Sequence, residues 1–335
     1  MRIRAGKEAV NEEKLSAFEK RLCNALQSGL PIKKRPYAEI GRALGSNEDA
    51  TLKQTRELVK RGIIRRIGAV VNWRAIGKAS TLVAAACASG ENLKRVVAAV
   101  KAMEGVSHNY LREHRYNLWF TLQADSQKNI EAILGDLSQR FGVAFHGLPV
   151  ERTFKLDVRF DAESEGQKLL KPAIEVGQRG RAKLDEIDRR ILAALETGPF
   201  DKARGGLEVV AQPYEVLCKD GLTIDEVLSR IEGMIGRGAI NRLGAIVDQH
   251  KLGFAANAMF VCRANGRRAV EIGKALAHLQ NVSHCYERRP FKGWPFNLFA
   301  MMHGRSMAEI RRAAEAFVKA EGIEKWDVLR TVRRN

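Results

Sequence analysis

At 335 residues, with 45% hydrophobic and 29% charged side chains, the chain has the composition of a soluble globular protein long enough for several ordinary domains. Its longest apolar stretches, such as Leu82 to Ala88, are too short to span a bilayer, and the N-terminus lacks the apolar core of a signal peptide. A cytoplasmic protein with no membrane partner is therefore expected. The net charge of +18 concentrates anions near the surface, which leaves nucleic acid, a small polyanionic metabolite and plain solubility charge as readings. Cys23, Cys87, Cys218, Cys262 and Cys285 are scattered without a Cys-x-x-Cys pair, an arrangement that argues against a zinc knuckle, an iron–sulfur site or a disulfide framework.

Leu15, Phe18, Leu22, Ala25 and Leu26 fall at helical spacing, ended by Gly29 and Pro31. A short helix with Tyr37, Ile40 and Leu44, a Gly45-Ser-Asn turn and a longer helix carrying Leu52, Leu58 and Val59 follow, reading as a helix-turn-helix module. After Gly62 the period changes. Strand-like runs at 63–71 and 80–88, a helix at 93–103, strands near 106–114 and 116–122, a helix at 130–141 and a strand around 150–158 give a ferredoxin-like βαββαβ order. Residues 159–183 hold no sustained period and read as a linker.

The pattern then repeats. Leu184, Ile187, Ile191, Leu192 and Leu195 open a second helical module, and Thr223-Ile-Asp-Glu226 has capping-box spacing ahead of a helix that stops at Gly238. Arg66-Ile-Gly-Ala-Val-Val71 returns as Arg242-Leu-Gly-Ala-Ile-Val247, and Val106-Ser-His-Asn-Tyr-Leu-Arg-Glu-His114 returns as Val282-Ser-His-Cys-Tyr-Glu-Arg-Arg-Pro290. Asn117-Leu118 returns as Asn297-Leu298 beyond an insertion. The expected fold is α+β, a tandem duplication of a winged or helix-turn-helix domain followed by a ferredoxin-like domain. Its expected divisions are residues 1–62, 63–158, a linker at 159–183, then 184–238 and 239–335.

Alternate residues of a strand share a face, so His108, Tyr110, Arg112 and His114 are expected to project together, with His284, Tyr286 and Arg288 repeating three rungs and Pro290 replacing the fourth. Imidazole, phenol and guanidinium can serve there as proton donors or carboxylate anchors. A solvated or interdomain sheet face is the competing reading, and repetition of the ladder weighs against it. His146 and His303 lie near sheet edges, where a structural role is the default. His250 and His278 read as surface groups. Trp119, Phe120, Trp294, Phe296 and Phe299 suit either a core or an aromatic wall against a flat macrocycle.

A helix-turn-helix joined to a ferredoxin-like domain resembles the Lrp/AsnC regulators. The stretches Ser107-His-Asn-Tyr-Leu-Arg-Glu-His-Arg-Tyr-Asn-Leu-Trp-Phe120 and Trp294-Pro-Phe-Asn-Leu-Phe-Ala-Met-Met-His-Gly304 are more specific, and resemble the sirohaem decarboxylases, here as a fusion of two subunit types. That resemblance implies conversion of sirohaem to 12,18-didecarboxysirohaem on a route to haem d1 or haem, with no cofactor beyond the substrate's own iron. It points to His108 and His114 as proton donors, Tyr110 orienting the leaving carboxylate and Arg112 holding another. Across from them it points to His284, Tyr286, Arg288 and Arg289 as an opposite wall, with Trp119 and His303 as further contacts and an axial histidine on the iron left open. Charge disfavours DNA as the partner: Asp49–Arg66 carries six basic and two acidic residues, whereas Thr223–Arg242 carries three of each, and a duplicated DNA reader needs both recognition segments basic. A DNA-binding regulator and a tetrapyrrole carrier or sensor stand as the alternatives, and self-association into a homo-oligomer is left open.

Overall fold

A computed structural model describes residues 15–88, 90–170, 181–197 and 206–334, apart from the side chains of Ser107, His108, Thr197, Arg333 and Arg334. Three helices, α1 (Ala17–Ser28), α2 (Pro36–Ala43) and α3 (Glu48–Lys60), precede β1 (Ile64–Val71). The first ferredoxin-like unit is β2 (Ala79–Ala85), α4 (Glu91–Ala102), β3 (Val106–Arg112), β4 (Leu118–Ala124), α5 (Gln127–Phe141) and β5 (Phe145–Leu156). The second half runs α6 (Glu186–Thr197), α7 (Ile224–Gly236), β6 (Ile240–Val247), β7 (Ala256–Cys262), α8 (Gly266–His278), β8 (Val282–Arg288), β9 (Leu298–Gly304), α9 (Met307–Glu321) and β10 (Trp326–Arg334). The α+β class and the duplication hold.

Local chemistry explains the helix starts. Ser16 with Glu19 and Thr223 with Glu226 form complete capping boxes on α1 and α7, satisfying backbone donors that the first helical turn leaves unpaired. Ser126 and Ser306 cap α5 and α9, which both end on a left-handed glycine, Gly142 and Gly322 at φ 63°.

The pairing of the strands departs from expectation. The strands at 64–71 and 240–247 do not head the ferredoxin-like sheets: β1 pairs antiparallel with β6 in a separate two-stranded sheet, with Gly68 opposite Gly244. The repeated Arg-x-Gly-Ala motif makes this a crossed layer. Arg66 Nη1 donates to Glu196 O at the end of α6, and Arg242 Nη1 donates to Gln27 O at the end of α1, each half placing a cation on the other half's exposed helix carbonyls. A Cβ at Gly68 would lie 2.4 Å from Leu195 O and one at Gly244 2.5 Å from Leu26 O, so only glycine admits the helix ends.

Between α6 and α7 the described residues, 206–223, hold one 3₁₀ turn, Glu215–Leu217, and residues 198–205 lie outside them. The segment expected as a linker is also partly core: Phe160, Ala162 and Leu169 are buried with the helical layer, and Phe160 bridges to Leu169, while 171–180 lie outside the described residues.

The two ferredoxin-like sheets join edge to edge into a closed eight-stranded barrel in the order β10-β3-β4-β2-β5-β8-β9-β7. The seams are β10 with β3 and β5 with β8, each joining one half to the other. Closure removes the unpaired strand edges that an isolated sheet would expose. Helices cover the outside, with separate apolar layers beneath α4 and α5 and beneath α8 and α9. A further cluster, including Trp119, Leu148, Met259, Val261, Trp294, Phe299 and Leu329, lines the inside of the barrel. Burying each such side chain contributes roughly 1.5–3 kcal/mol. The repeated asparagines lock the hairpins: Asn117 exchanges two hydrogen bonds with the Cys87 backbone at 2.8 and 2.9 Å, and Asn297 does the same with Ala264 at 2.8 and 3.0 Å.

Candidate active site

Register places the ladders. Tyr110 lies opposite Trp119, and His284 and Tyr286 lie opposite Met301 and Phe299, all on the face that lines the barrel interior. His108 is opposite Thr121 on the same strand, its side chain outside the described residues. The open sheet faces of the two halves therefore converge, and both ladders share one interior.

Arg112 and Arg288 are 4% and 8% exposed. Arg112 Nη1 donates to Leu329 O and Thr331 Oγ1, both at 3.0 Å, and Nη2 to Met301 Sδ at 3.6 Å. Arg288 Nη1 donates to Leu148 O at 2.9 Å. Each guanidinium thus crosses a seam into the other half and packs over the tyrosine two residues earlier, 5.2 Å from Tyr110 and 4.6 Å from Tyr286. Burial pushes both guanidinium groups down to about 10, which leaves them charged at neutral pH. Among the described residues neither is in an ion pair with a carboxylate, and the Nε of each has no hydrogen-bond partner. Two buried, uncompensated cations make the interior attractive to an anion. Burial likewise pushes the Tyr286 phenol up to about 12.

His114 is not a rung. The strand stops at Arg112, whose N–H donates to Asn117 O to close the hairpin, and His114 sits in the connection beyond it. There the Tyr116 N–H donates to His114 Nδ1 at 3.0 Å, which leaves the proton of the neutral ring on Nε2. Its ring meets Trp294 edge-on at 5.4 Å, and burial pushes its pKa below the ordinary histidine range, with Asp327 opposing. Tyr116 in turn meets Phe291, Trp294 and His146 at 5.1–5.8 Å. The insertion in the second half is what carries Phe291 and Trp294 across to the first half's hairpin. His146, expected to be structural, stacks on Phe291 at 4.0 Å and 5°, and burial lowers its pKa too. Both line an outer cavity of about 630 Å³ between α5 and β5, together with Arg289.

The remaining predicted contacts scatter. Arg289 is on that outer side, paired with Glu151 at 3.0 Å. Trp119 is core, its Nε1 donating to Tyr116 O at 2.7 Å. His303 is 5% exposed and bonded at 2.7 Å to the Oγ of Ser283, the residue before His284. His250 and His278 are exposed, as expected. Sequence reasoning missed Ser283 and the roles of Tyr116 and Phe291, because only register and the path of the insertion bring them to these places.

Much of the basic charge of the first helical module is engaged internally. Lys34 pairs with Asp225 at 2.9 Å, Arg35 pairs with Glu48, Arg61 pairs with Glu19 at 2.5 Å, and Arg56 Nε donates to Val209 O at 2.9 Å. No helix among the described residues is long and apolar enough to cross a membrane, and no cluster of three or more His, Cys, Asp or Glu among them could hold a metal ion.

A closed barrel of two fused ferredoxin-like halves, with a polar ladder from each half inside and a helical layer beside it, defines the architectural class of paired AsnC-like domains. Residues 75–155 and 251–334 match the family model of the AsnC-like ligand binding domain, and residues 19–65 match that of the siroheme decarboxylase NirDL-like HTH domain. The siroheme decarboxylase of Hydrogenobacter thermophilus is 30% identical over 94% of this chain and 92% of its own, and the NirDL subunit of Paracoccus pantotrophus is 33% identical over 90% and 89%. The siroheme decarboxylase alpha subunit of Desulfovibrio desulfuricans is 40% identical, matching 45% of this chain and 87% of its own length. The crystal structure of the siroheme decarboxylase NirDL in co-complex with an iron-uroporphyrin III analogue superposes with a TM-score of 0.69 at 27% identity, covering 95% of this chain and 92% of that one. The chain belongs to the sirohaem decarboxylase family, in its fused two-subunit form.

Proposed function

We propose that this protein removes carbon dioxide from the C12 and C18 acetates of sirohaem, giving 12,18-didecarboxysirohaem. The observation that carries the reading is the convergence of two ladders and two uncompensated buried guanidinium groups in one barrel, in a chain matched along nearly its whole length by sirohaem decarboxylases. For each acetate, the bond between the methylene and carboxyl carbons breaks, carbon dioxide leaves, and the methylene gains one proton to become a methyl group. No electron is exchanged with an external partner, so the scheme requires no redox cofactor. Protonating the macrocycle first gives the electron pair somewhere to go.

In this reading His108 and His114 supply protons, and Tyr110 orients the leaving carboxylate. Arg112 and Arg288, with His284 and Tyr286, hold carboxylates that do not react, since a carboxylate beside a guanidinium stays ionised. Trp119 lies beside these groups on the interior face, His303 is bonded to Ser283 next to His284, and Arg289 marks the outer approach. Strong positive charge favours capture of so anionic a substrate. The internal pairing of the basic residues near α3 does not favour a DNA-binding regulator.

The test is anaerobic incubation of the purified protein with sirohaem, following product mass and visible spectrum. Stepwise loss of two carbon dioxide units is expected. A spectral change with no mass loss would mean a carrier, and no interaction would overturn the reading.

A further inference from the structure

The two hairpin connections that meet beside His114 are built differently. Four residues separate Arg112 from Asn117 in the first half, whereas eight separate Arg288 from Asn297 in the second. The shorter connection is pinned along its length: Glu113 N–H donates to Arg330 O at 3.1 Å, Tyr116 N–H to His114 Nδ1 at 3.0 Å, and Trp119 Nε1 to Tyr116 O at 2.7 Å. The longer one is tied only at its ends. Arg289 N–H donates to Pro149 O at 3.1 Å and its side chain pairs with Glu151, while Asn297 N–H donates to Cys262 O at 3.2 Å and its side-chain amide bonds the Ala264 backbone. Between these anchors, residues 290–296 make no hydrogen bond to any described residue outside the segment, and their one internal bond is a turn in which Trp294 N–H donates to Phe291 O at 3.0 Å.

What holds this segment down is aromatic packing. Phe291 stacks on His146 and meets Tyr116 edge-on, and Trp294 meets His114, Tyr116 and Trp119. Lys292, Gly293 and Pro295 are exposed on its outer side. Trp294 is 3% exposed, yet its Nε1–H has no hydrogen-bond partner, and the surrounding ring faces are weak acceptors for it. A segment tied by few hydrogen bonds, with a buried donor left unmatched, belongs to the least stable parts of a fold, those that open locally.

We infer that residues 290–296 form a lid on the barrel, which swings out between Arg289 and Asn297 to admit the macrocycle and recloses with the Trp294 indole N–H donating to a substrate carboxylate. The inference rests on the reading of the barrel interior as the substrate site. A macrocycle cannot pass through a wall of hydrogen-bonded strands, so it enters by an end of the barrel, and at the end beside His114 the insertion is the part held by packing alone. Reclosure sets Phe291 and Trp294 against an apolar surface that now includes the macrocycle, and keeps water from the reacting carbon while protons are delivered. The carboxylate supplies the acceptor that the indole lacks.

Locking the lid tests this. In the full-length His146→Cys/Phe291→Cys protein, a stacked pair with ring centroids 4.0 Å apart is replaced by two thiols that oxidation joins, and the reduced form of the same protein is the reference. The disulfide is expected to slow sirohaem association, followed by stopped-flow absorbance, by at least about a hundredfold, with reduction restoring it. Equal association rates in the two forms would overturn the lid and leave the substrate site standing. Phe291→Ala, which needs no cross-link, removes a contact that holds the lid shut and is expected to speed association about tenfold, and an unchanged rate there would overturn the lid as well. In crystals with an unreactive iron-uroporphyrin, a carboxylate oxygen is expected within about 3.2 Å of Trp294 Nε1. A macrocycle inside the barrel with that atom still unmatched would overturn the indole contact. A macrocycle bound outside the barrel would remove the reading of the site, and this inference with it.

Discussion

Replacing His114 with alanine is expected to lower the rate of carbon dioxide release by at least about a hundredfold, with the dissociation constant for sirohaem changed by no more than about threefold. The structure places this ring in a hairpin connection with Nδ1 accepting from the Tyr116 N–H, so the charged form takes up its second proton at Nδ1 with loss of that hydrogen bond, and Nε2 is the nitrogen free to deliver a proton from it. Truncation removes no charged carboxylate anchor, which is why binding should survive. The pH profile follows from the burial that depresses this imidazole. A lowered pKa means the charged, donating form fills only below the ordinary histidine midpoint near 6.5, so kcat should rise as pH falls through that range. The rising limb should be absent in His114→Ala. Full activity in that variant, with an unchanged limb, would remove His114 from the chemistry.

Substituting methionine for Arg112 and Arg288 is the second large effect, and stability and affinity should part company. A guanidinium buried without a carboxylate costs desolvation energy that a similarly sized apolar chain does not incur, so folding stability should stay within about 1 kcal/mol of the unsubstituted protein or rise. The seam does not depend on these side chains alone, since the backbone ladders of β10 with β3 and β5 with β8 run through it, and Thr331 Oγ1 also bonds Asn257 at 2.7 Å. Affinity for sirohaem should fall by about 10- to 100-fold per arginine, the worth of one charge-assisted hydrogen bond to a carboxylate. Thermal unfolding and spectral titration separate the two outcomes. Unfolding of the variants with affinity retained by the folded fraction would make the arginines seam clamps and nothing more.

The duplication, the Thr223–Glu226 capping box and the ladder's alternation were all readable in the chain, because each is a pattern carried by a short run of consecutive residues. Partners were not. Ile64–Val71 looks like a strand from its β-branched content, yet nothing local says that it pairs with Ile240–Val247 and not with the sheet that follows. Barrel closure is equally silent, since a strand edge does not announce whether it meets a helix, solvent or a second edge. Extending the alternation to His114 failed because it assumed that the strand continues past Arg112, where the bond to Asn117 O already turns the chain. Arg112 and Arg288 share a face with the tyrosines two residues earlier, as the alternation predicts, but their carbonyl partners across the seams come from the other half. Ser283 and His303 lie on adjacent strands, and only the register between β8 and β9 brings them together.

The account places the substrate's carboxylates inside the barrel, between the two ladders, and the most direct measurement is the crystal structure of this protein with an unreactive iron-uroporphyrin. Carboxylates within hydrogen-bond distance of Arg112, Arg288 or His284, with the macrocycle edge reaching His114, is the predicted result. A macrocycle seated wholly in the outer cavity against His146, Phe291 and Arg289, with the ladders untouched, would contradict it.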